Sequence, residues 1–153
     1  RGLGDVYKRQ DIPTLIKDIF TERAEALLKQ RPDYASLEDA LDEAVQMVIK
    51  NKRIVYHLYR SADRALVEMY LMRICEQVIL SYIHNNRGDL PVSPEDKTII
   101  VRYYKCQCFG MIIDWLNSDM RFDIAAEARR MYELRKGMLE EIVHRASMQR
   151  SKA

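Results

Sequence analysis

Residues 93–120, SPEDKTIIVRYYKCQCFGMIIDWLNSDM, constrain the fold more than any other stretch of the chain. Ser93 can cap a helix N-terminus, Pro94 fits the first helical position, and Glu95 and Asp96 suit the positive end of the helix dipole. Beyond them only Gly110 interrupts a helical run that reaches Trp115 and Leu116. Apolar residues occur on two sides of this cylinder. Ile99, Tyr103, Cys106, Gly110 and Ile113 follow one line, and Val101, Tyr104, Cys108, Met111 and Trp115 follow another. An exposed helix in a monomer needs one apolar stripe. The second stripe asks for a second surface, read here as another copy of the chain.

The 153 residues amount to about one domain. Gly and Pro are scarce, with five and four copies, which leaves few turns and favours long helices. Persistent strand alternation, an internal repeat and an interdomain linker are all missing from the pattern. No apolar run approaches the roughly 20 residues that span a bilayer, and the N-terminus lacks the apolar core of a signal peptide. A cytoplasmic location without a membrane partner is expected. The three cysteines fit buried free thiols in a reducing compartment; Cys106 and Cys108, two apart on a helix, point too far apart to share a metal or a relaxed disulfide.

Residues 1–10, RGLGDVYKRQ, stand apart. Asp5 to Gln10 resembles the translation of a transposon-end adaptor from a sequencing library, so residues 1–10 are expected to be non-native or disordered and the folded domain to occupy 11–153. Without that segment the charge falls from +2 to 22 basic against 22 acidic side chains, and a neutral body has no overall electrostatic footprint for nucleic acid.

The remaining periodicity predicts helices over about 13–29, 36–50, 54–60, 64–86 and 123–146. The second has a clean stripe of Leu37, Ala40, Leu41, Ala44, Val45, Val48 and Ile49, with Asp39, Asp42, Glu43 and Gln46 facing water. The fourth reads through Leu66, Met69, Tyr70, Ile74, Val78 and Tyr82. The last is one continuous helix with Ala125, Ala128, Met131, Tyr132, Arg135, Met138, Leu139 and Ile142 on its inner side.

A helix opening at Ser93-Pro94-Glu95, passing Tyr103-Tyr104 and Gly110 to Trp115-Leu116, then turning into a final helix, resembles the C-terminal domain of tetracycline-repressor (TetR) family transcriptional regulators. The segment from Asn51-Lys52-Arg53-Ile54 through Leu58 is also similar. Asp11-Ile12-Pro13-Thr14-Leu15-Ile16 resembles the junction where the family's DNA-binding helices hand over to the regulatory core. The resemblance covers nearly all of 11–146 and rests on helix order and a few aromatic positions. It implies an all-α, orthogonal bundle of about six helices, with the DNA-binding helix-turn-helix absent ahead of Asp11. It further implies an unknown small-molecule effector held between helices, and a homodimer whose last two helices form a four-helix bundle with their counterparts. DNA would be contacted only through the missing N-terminal part.

Candidate effector-binding residues are Tyr56, His57, Tyr59 and Arg60 on one wall, with Tyr70, Cys75, Tyr82, Tyr103 and Gln107 from neighbouring helices. For any one tyrosine the commoner role is a half-buried core residue with a wet hydroxyl. Candidate dimer-interface residues are Phe109, Ile112, Ile113, Trp115 and Leu116, with Met131, Leu134, Met138, Leu139 and Ile142 from the last helix. Lys50, Lys52, Arg53, Arg60 and Arg64 read as a solvated helix end rather than a nucleic-acid patch.

Glu141-x-x-His144 has the spacing of a carboxylate-bridged metal bundle but lacks the second copy that such a site needs. Arg87-Gly88-Asp89 is taken as a chance tripeptide. With no nucleophile elbow, phosphate loop or zinc spacing there is no positive reason to expect an enzyme, a metal or a cofactor. The rival readings are a helical protein-interaction adaptor and a ferritin-like metal-binding bundle.

Overall fold

A computed structural model describes residues 34–87 and 90–150, together with Thr14, Lys17, Asp18, Phe20, Thr21, Glu22, Glu25 and Ala26. The expectation for residues 1–10 lies outside the described residues. Every described residue of the expected first helix is helical, and Phe20 is buried with its ring stacked 5.6 Å from that of Tyr70. Six further helices follow: α1 (Leu37–Lys50), α2 (Lys52–Tyr59), α3 (Arg64–Arg87), α4 (Pro94–Asn117), α5 (Ile124–Arg135) and α6 (Met138–Arg150). No strand occurs among the described residues, so the fold is all-α. Among the described residues no helix is long and apolar enough to cross a membrane.

Local chemistry explains the boundaries. Ser36 Oγ accepts from the Asp39 amide, Ser93 Oγ from the Asp96 amide, and Asp123 Oδ1 from the Ala126 amide, each satisfying an orphan donor of a first turn. Asn51 alone separates α1 from α2; its side-chain amide donates to the Met47 carbonyl and closes the end of α1. The α4–α5 turn is tight, with Asp119 and Met120 at φ of 58° and 59° and Trp115 Nε1 donating to the Phe122 carbonyl at 3.0 Å.

The expected last helix is broken. Gly137, at φ 85°, separates α5 from α6. Arg135 and Lys136 followed by Gly form a helix stop in which glycine takes the left-handed position beyond the C-cap. Helical spacing of apolar residues runs through the break, which is why periodicity alone carries the helix past it.

The core lies where α3 packs along α1 and α4, with α2 against α3 and α5 closing over α1. The α1 stripe is buried as expected, with Ile49 half-buried at its end. In α3 the buried line is Val67, Leu71, Ile74, Cys75, Val78, Ile79, Tyr82 and Ile83, and Met69 points outward at 40% exposure. Glu76 and Lys105, 2.8 Å apart, tie α3 to α4. Two of the three thiols are buried as expected; Cys106 is exposed, because it lies on the outer line of α4.

Candidate functional site

The two lines of α4 separate over most of their length, with Met111 and Ile113 half-buried. Val101, Tyr104, Cys108, Ile112, Trp115 and Leu116 are buried within the chain's own core. Ile99 and Tyr103 stand 59% and 58% exposed, and Cys106 and Gly110 are also on the outside. A shallow groove follows this outer face between Ile99, Arg102, Tyr103, Cys106 and Gln107.

The residues expected to meet a second copy therefore divide. Ile112, Trp115 and Leu116, with Leu139 of α6, are already out of water in one protomer and have no apolar area left to offer a partner. Phe109, Ile113 and Ile142 are half-buried against the core. Met131, Leu134 and Met138 are 41%, 60% and 43% exposed, so Met131 and Met138 leave the inner side expected for them. The core meets α5 and α6 at Ile124, Arg135 and Leu139, and a helix face that buries these residues leaves Met131, Leu134 and Met138 on its flanks.

The nine effector candidates do not converge. Tyr56, Tyr59 and Arg60 face the α4–α5 turn instead of a cavity: Tyr56 donates to Asp119 Oδ1 at 2.7 Å, Tyr59 donates to Asn117 Oδ1 at 2.6 Å, and Arg60 pairs with Asp119 at 3.5 Å. The Asp119 hydrogen bond raises the Tyr56 hydroxyl pKa. His57 is exposed, and Tyr70 sits under Phe20 and the Arg73 guanidinium. Cys75 and Tyr82 are sealed between α3 and α4. Tyr103 lies on the outer face and its neighbour Tyr104 takes the inward position, because consecutive helical residues are turned apart.

Gln107 is the candidate that reaches a cavity. A pocket of about 340 Å³ opens between α1, α4 and α5. From α1 it is lined by Leu41, Val45 and the acids Glu38, Asp39 and Asp42. Gln107, Cys108 and Met111 come from α4, and Ala128, Met131, Tyr132 and Arg135 are among the α5 residues. The volume lies near the lower end of small-molecule sites, and the wall has the usual mixture of apolar surface and a few placed polar groups.

Arg135 dominates its chemistry. The residue is 7% exposed, its Nη1 donates to Gln107 Oε1 at 2.6 Å, and its guanidinium carbon lies 5.0 Å from the centre of the Tyr104 ring. Three buried polar atoms near this junction lack a hydrogen-bond partner: Arg135 Nη2, the Tyr104 hydroxyl and Asp42 Oδ1. Burial pushes the Tyr104 hydroxyl pKa up, against the opposing pull of the adjacent Arg135 side chain, through hydrogen bonding first and its charge second.

Reading the α1 acids as a purely wet face misses Asp42, which is half-buried and lines the cavity. The periodicity places Arg135 on the inner side of the last helix without assigning it a site role, and it sets Asp42 on the wet face of α1. Glu141, in the Glu-x-x-His spacing, accepts from Arg145 at 2.8 Å, which lowers its pKa. No group of three or more metal-ligating side chains occurs among the described residues.

A family model for the C-terminal region of TetR-type transcriptional regulators matches residues 35–137, from the cap of α1 to the glycine that ends α5. Neither a curated protein nor a solved structure matches the chain.

Proposed function

Since the chain belongs to the TetR-type transcriptional regulator C-terminal region family, we propose that it is the effector-binding and dimerisation module of a regulator that couples a small molecule to release of DNA. The observation that carries the reading is the division of α4 into a face buried in the core and an apolar face left in water, Ile99 and Tyr103 at 59% and 58% exposure. Contiguous apolar surface of this kind marks an interaction site. A second copy packing there, with Leu134 and Met138 joining from the following helices, would form a four-helix bundle about a two-fold axis. That symmetry is what a pair of recognition helices in a DNA-binding part requires to reach successive major grooves.

The effector site in this proposal is the α1–α4–α5 cavity. It shares Gln107 with the outer groove of α4, so the ligand-lined wall and the dimer-facing wall belong to one helix. A ligand that binds one arrangement of α1 against α4 more tightly than another biases the position of whatever precedes α1, by a coupling of about 1–3 kcal/mol in ordinary allosteric systems.

Sedimentation equilibrium of the chain tests the reading. A dimer in the micromolar range is expected, and Ile99→Glu with Tyr103→Glu should give a monomer of unchanged helix content. A folded wild-type monomer at high micromolar concentration would remove the dimer and with it the regulator geometry.

A further inference from the structure

We propose that the α1–α4–α5 cavity selects a small organic anion, a carboxylate-headed amphiphile whose head is drawn to the Arg135 guanidinium and whose tail lies along Leu41, Val45 and Met111. The inference rests on the effector-site reading above and names the class of ligand.

A guanidinium cannot shed its proton, so a buried arginine keeps a demand for negative charge that must be met by a partner. Arg135 is 93% removed from water, as its 7% exposure states. Among the described residues no carboxylate pairs with it; Nη1 donates to the neutral amide oxygen of Gln107. Tyr104 presents its ring face to the guanidinium and has its hydroxyl close enough to interact with the same side chain, yet Nη2 is left without an acceptor. The planar fork of an arginine with one free edge matches a carboxylate.

The acids lining the cavity do not reverse this preference. Glu133 is exposed and paired with Arg130 at 2.8 Å, and Asp39 is exposed in the first turn of α1, where the helix dipole favours it. Glu38 and Asp42 are half-buried; Asp42 Oδ1 is enclosed without a partner, but the residue as a whole keeps more contact with water than Arg135 does. The most buried charge of the cavity is thus the Arg135 cation, and screening weakens the more exposed charges further than this one. A neutral ligand would leave Nη2 unpaired, and a cationic one would add like charge beside it.

Calorimetric titration of the full 153-residue chain with octanoate, octan-1-ol and octyltrimethylammonium, one tail with three heads, decides the matter. Octanoate is expected to bind at least tenfold more tightly than the other two. Arg135→Gln should remove that margin and leave octanol unchanged. Gln107→Glu supplies an internal carboxylate to Arg135, so it should raise the melting temperature while weakening octanoate at least tenfold, which keeps the proposal testable if Arg135→Gln unfolds. Octanol or the ammonium binding as tightly as octanoate, with all binding blocked by Ala128→Phe, overturns the anion class and leaves the effector cavity standing. Binding by none of the three, or octanoate binding indifferent to Ala128→Phe, overturns the cavity itself.

Discussion

Arg135 of α5 donates from Nη1 to Oε1 of Gln107 on α4 across 2.6 Å, and this bond ties a buried charge to the helix that also carries the outward apolar face. Gln107→Ala leaves the guanidinium without its acceptor and is expected to cost about 1–3 kcal/mol, the penalty of orphaning a buried polar group. Replacing both partners with apolar residues, Gln107→Leu with Arg135→Met, should cost clearly less than the sum of the two single changes. Urea unfolding of the four proteins measures the coupling, and strictly additive losses would show that the pair does not act as a unit.

Two glycines should respond in opposite directions. Gly137 holds φ 85° with open space around its Cβ position, so Gly137→Ala meets only backbone strain, about 1–2 kcal/mol. Gly110 lies inside α4, exposed, and an added Cβ meets nothing within 4 Å. Gly110→Ala should stabilise the dissociated chain by about 0.5–1 kcal/mol through helix propensity. Thermal unfolding of both variants at low protein concentration checks the pair. The same Gly110 change should weaken self-association if the outer face of α4 packs closely on a second copy.

The thiols divide by accessibility. Cys106 is exposed, whereas Cys75 and Cys108 are buried with their sulfurs 3.4 Å apart. A disulfide-exchange reagent should modify one thiol rapidly in the native chain and the other two only on unfolding, and Cys106→Ser should abolish the fast phase. Rapid reaction of two or three thiols under native conditions would contradict the burial of the α3–α4 pair.

How far the fold can be read from the sequence depends on which signal each element uses. Ser36, Ser93 and Asp123 announce their helices because capping is local chemistry. The doubled apolar character of α4 is likewise visible as period and composition. Tyr103 and Tyr104 differ by one helical step, and only the position of α3 and α5 decides which points inward. The same holds for Trp115, whose indole reads equally well as core or interface until its Nε1 is seen on the Phe122 carbonyl. The cavity is harder still: its lining brings α1 against α4 and α5, which lie far from it in the chain, and its decisive residue, Arg135, is a charge on an inward-facing stripe. Gly137 was legible and passed over, since a strong apolar period overrides a single stop signal when only spacing is weighed.

Stability should fall on the alkaline side, in steps that follow the buried acids. The hydrogen bond to Cys108, followed by burial, pushes the Cys75 thiol well above its ordinary value of 9.0. Burial, aided by Glu43, pushes the Tyr34 hydroxyl up to about 12, and burial raises Tyr104 above 10.0. Each of these groups holds its proton in the folded chain after the unfolded chain has lost it. The stabilisation is therefore complete below the unfolded value and is lost as pH rises toward the folded one. The decline begins near pH 9 with the thiol and steepens above pH 10 with the tyrosines. Urea midpoints taken from about pH 7 to about pH 11 should trace it. Cys75→Ser, which removes the thiol titration, should flatten the first part of the decline and leave the tyrosine part in place. A midpoint that stays level through this range would mean that these groups titrate alike in the folded and unfolded chain, and that the α3–α4 core is open to water.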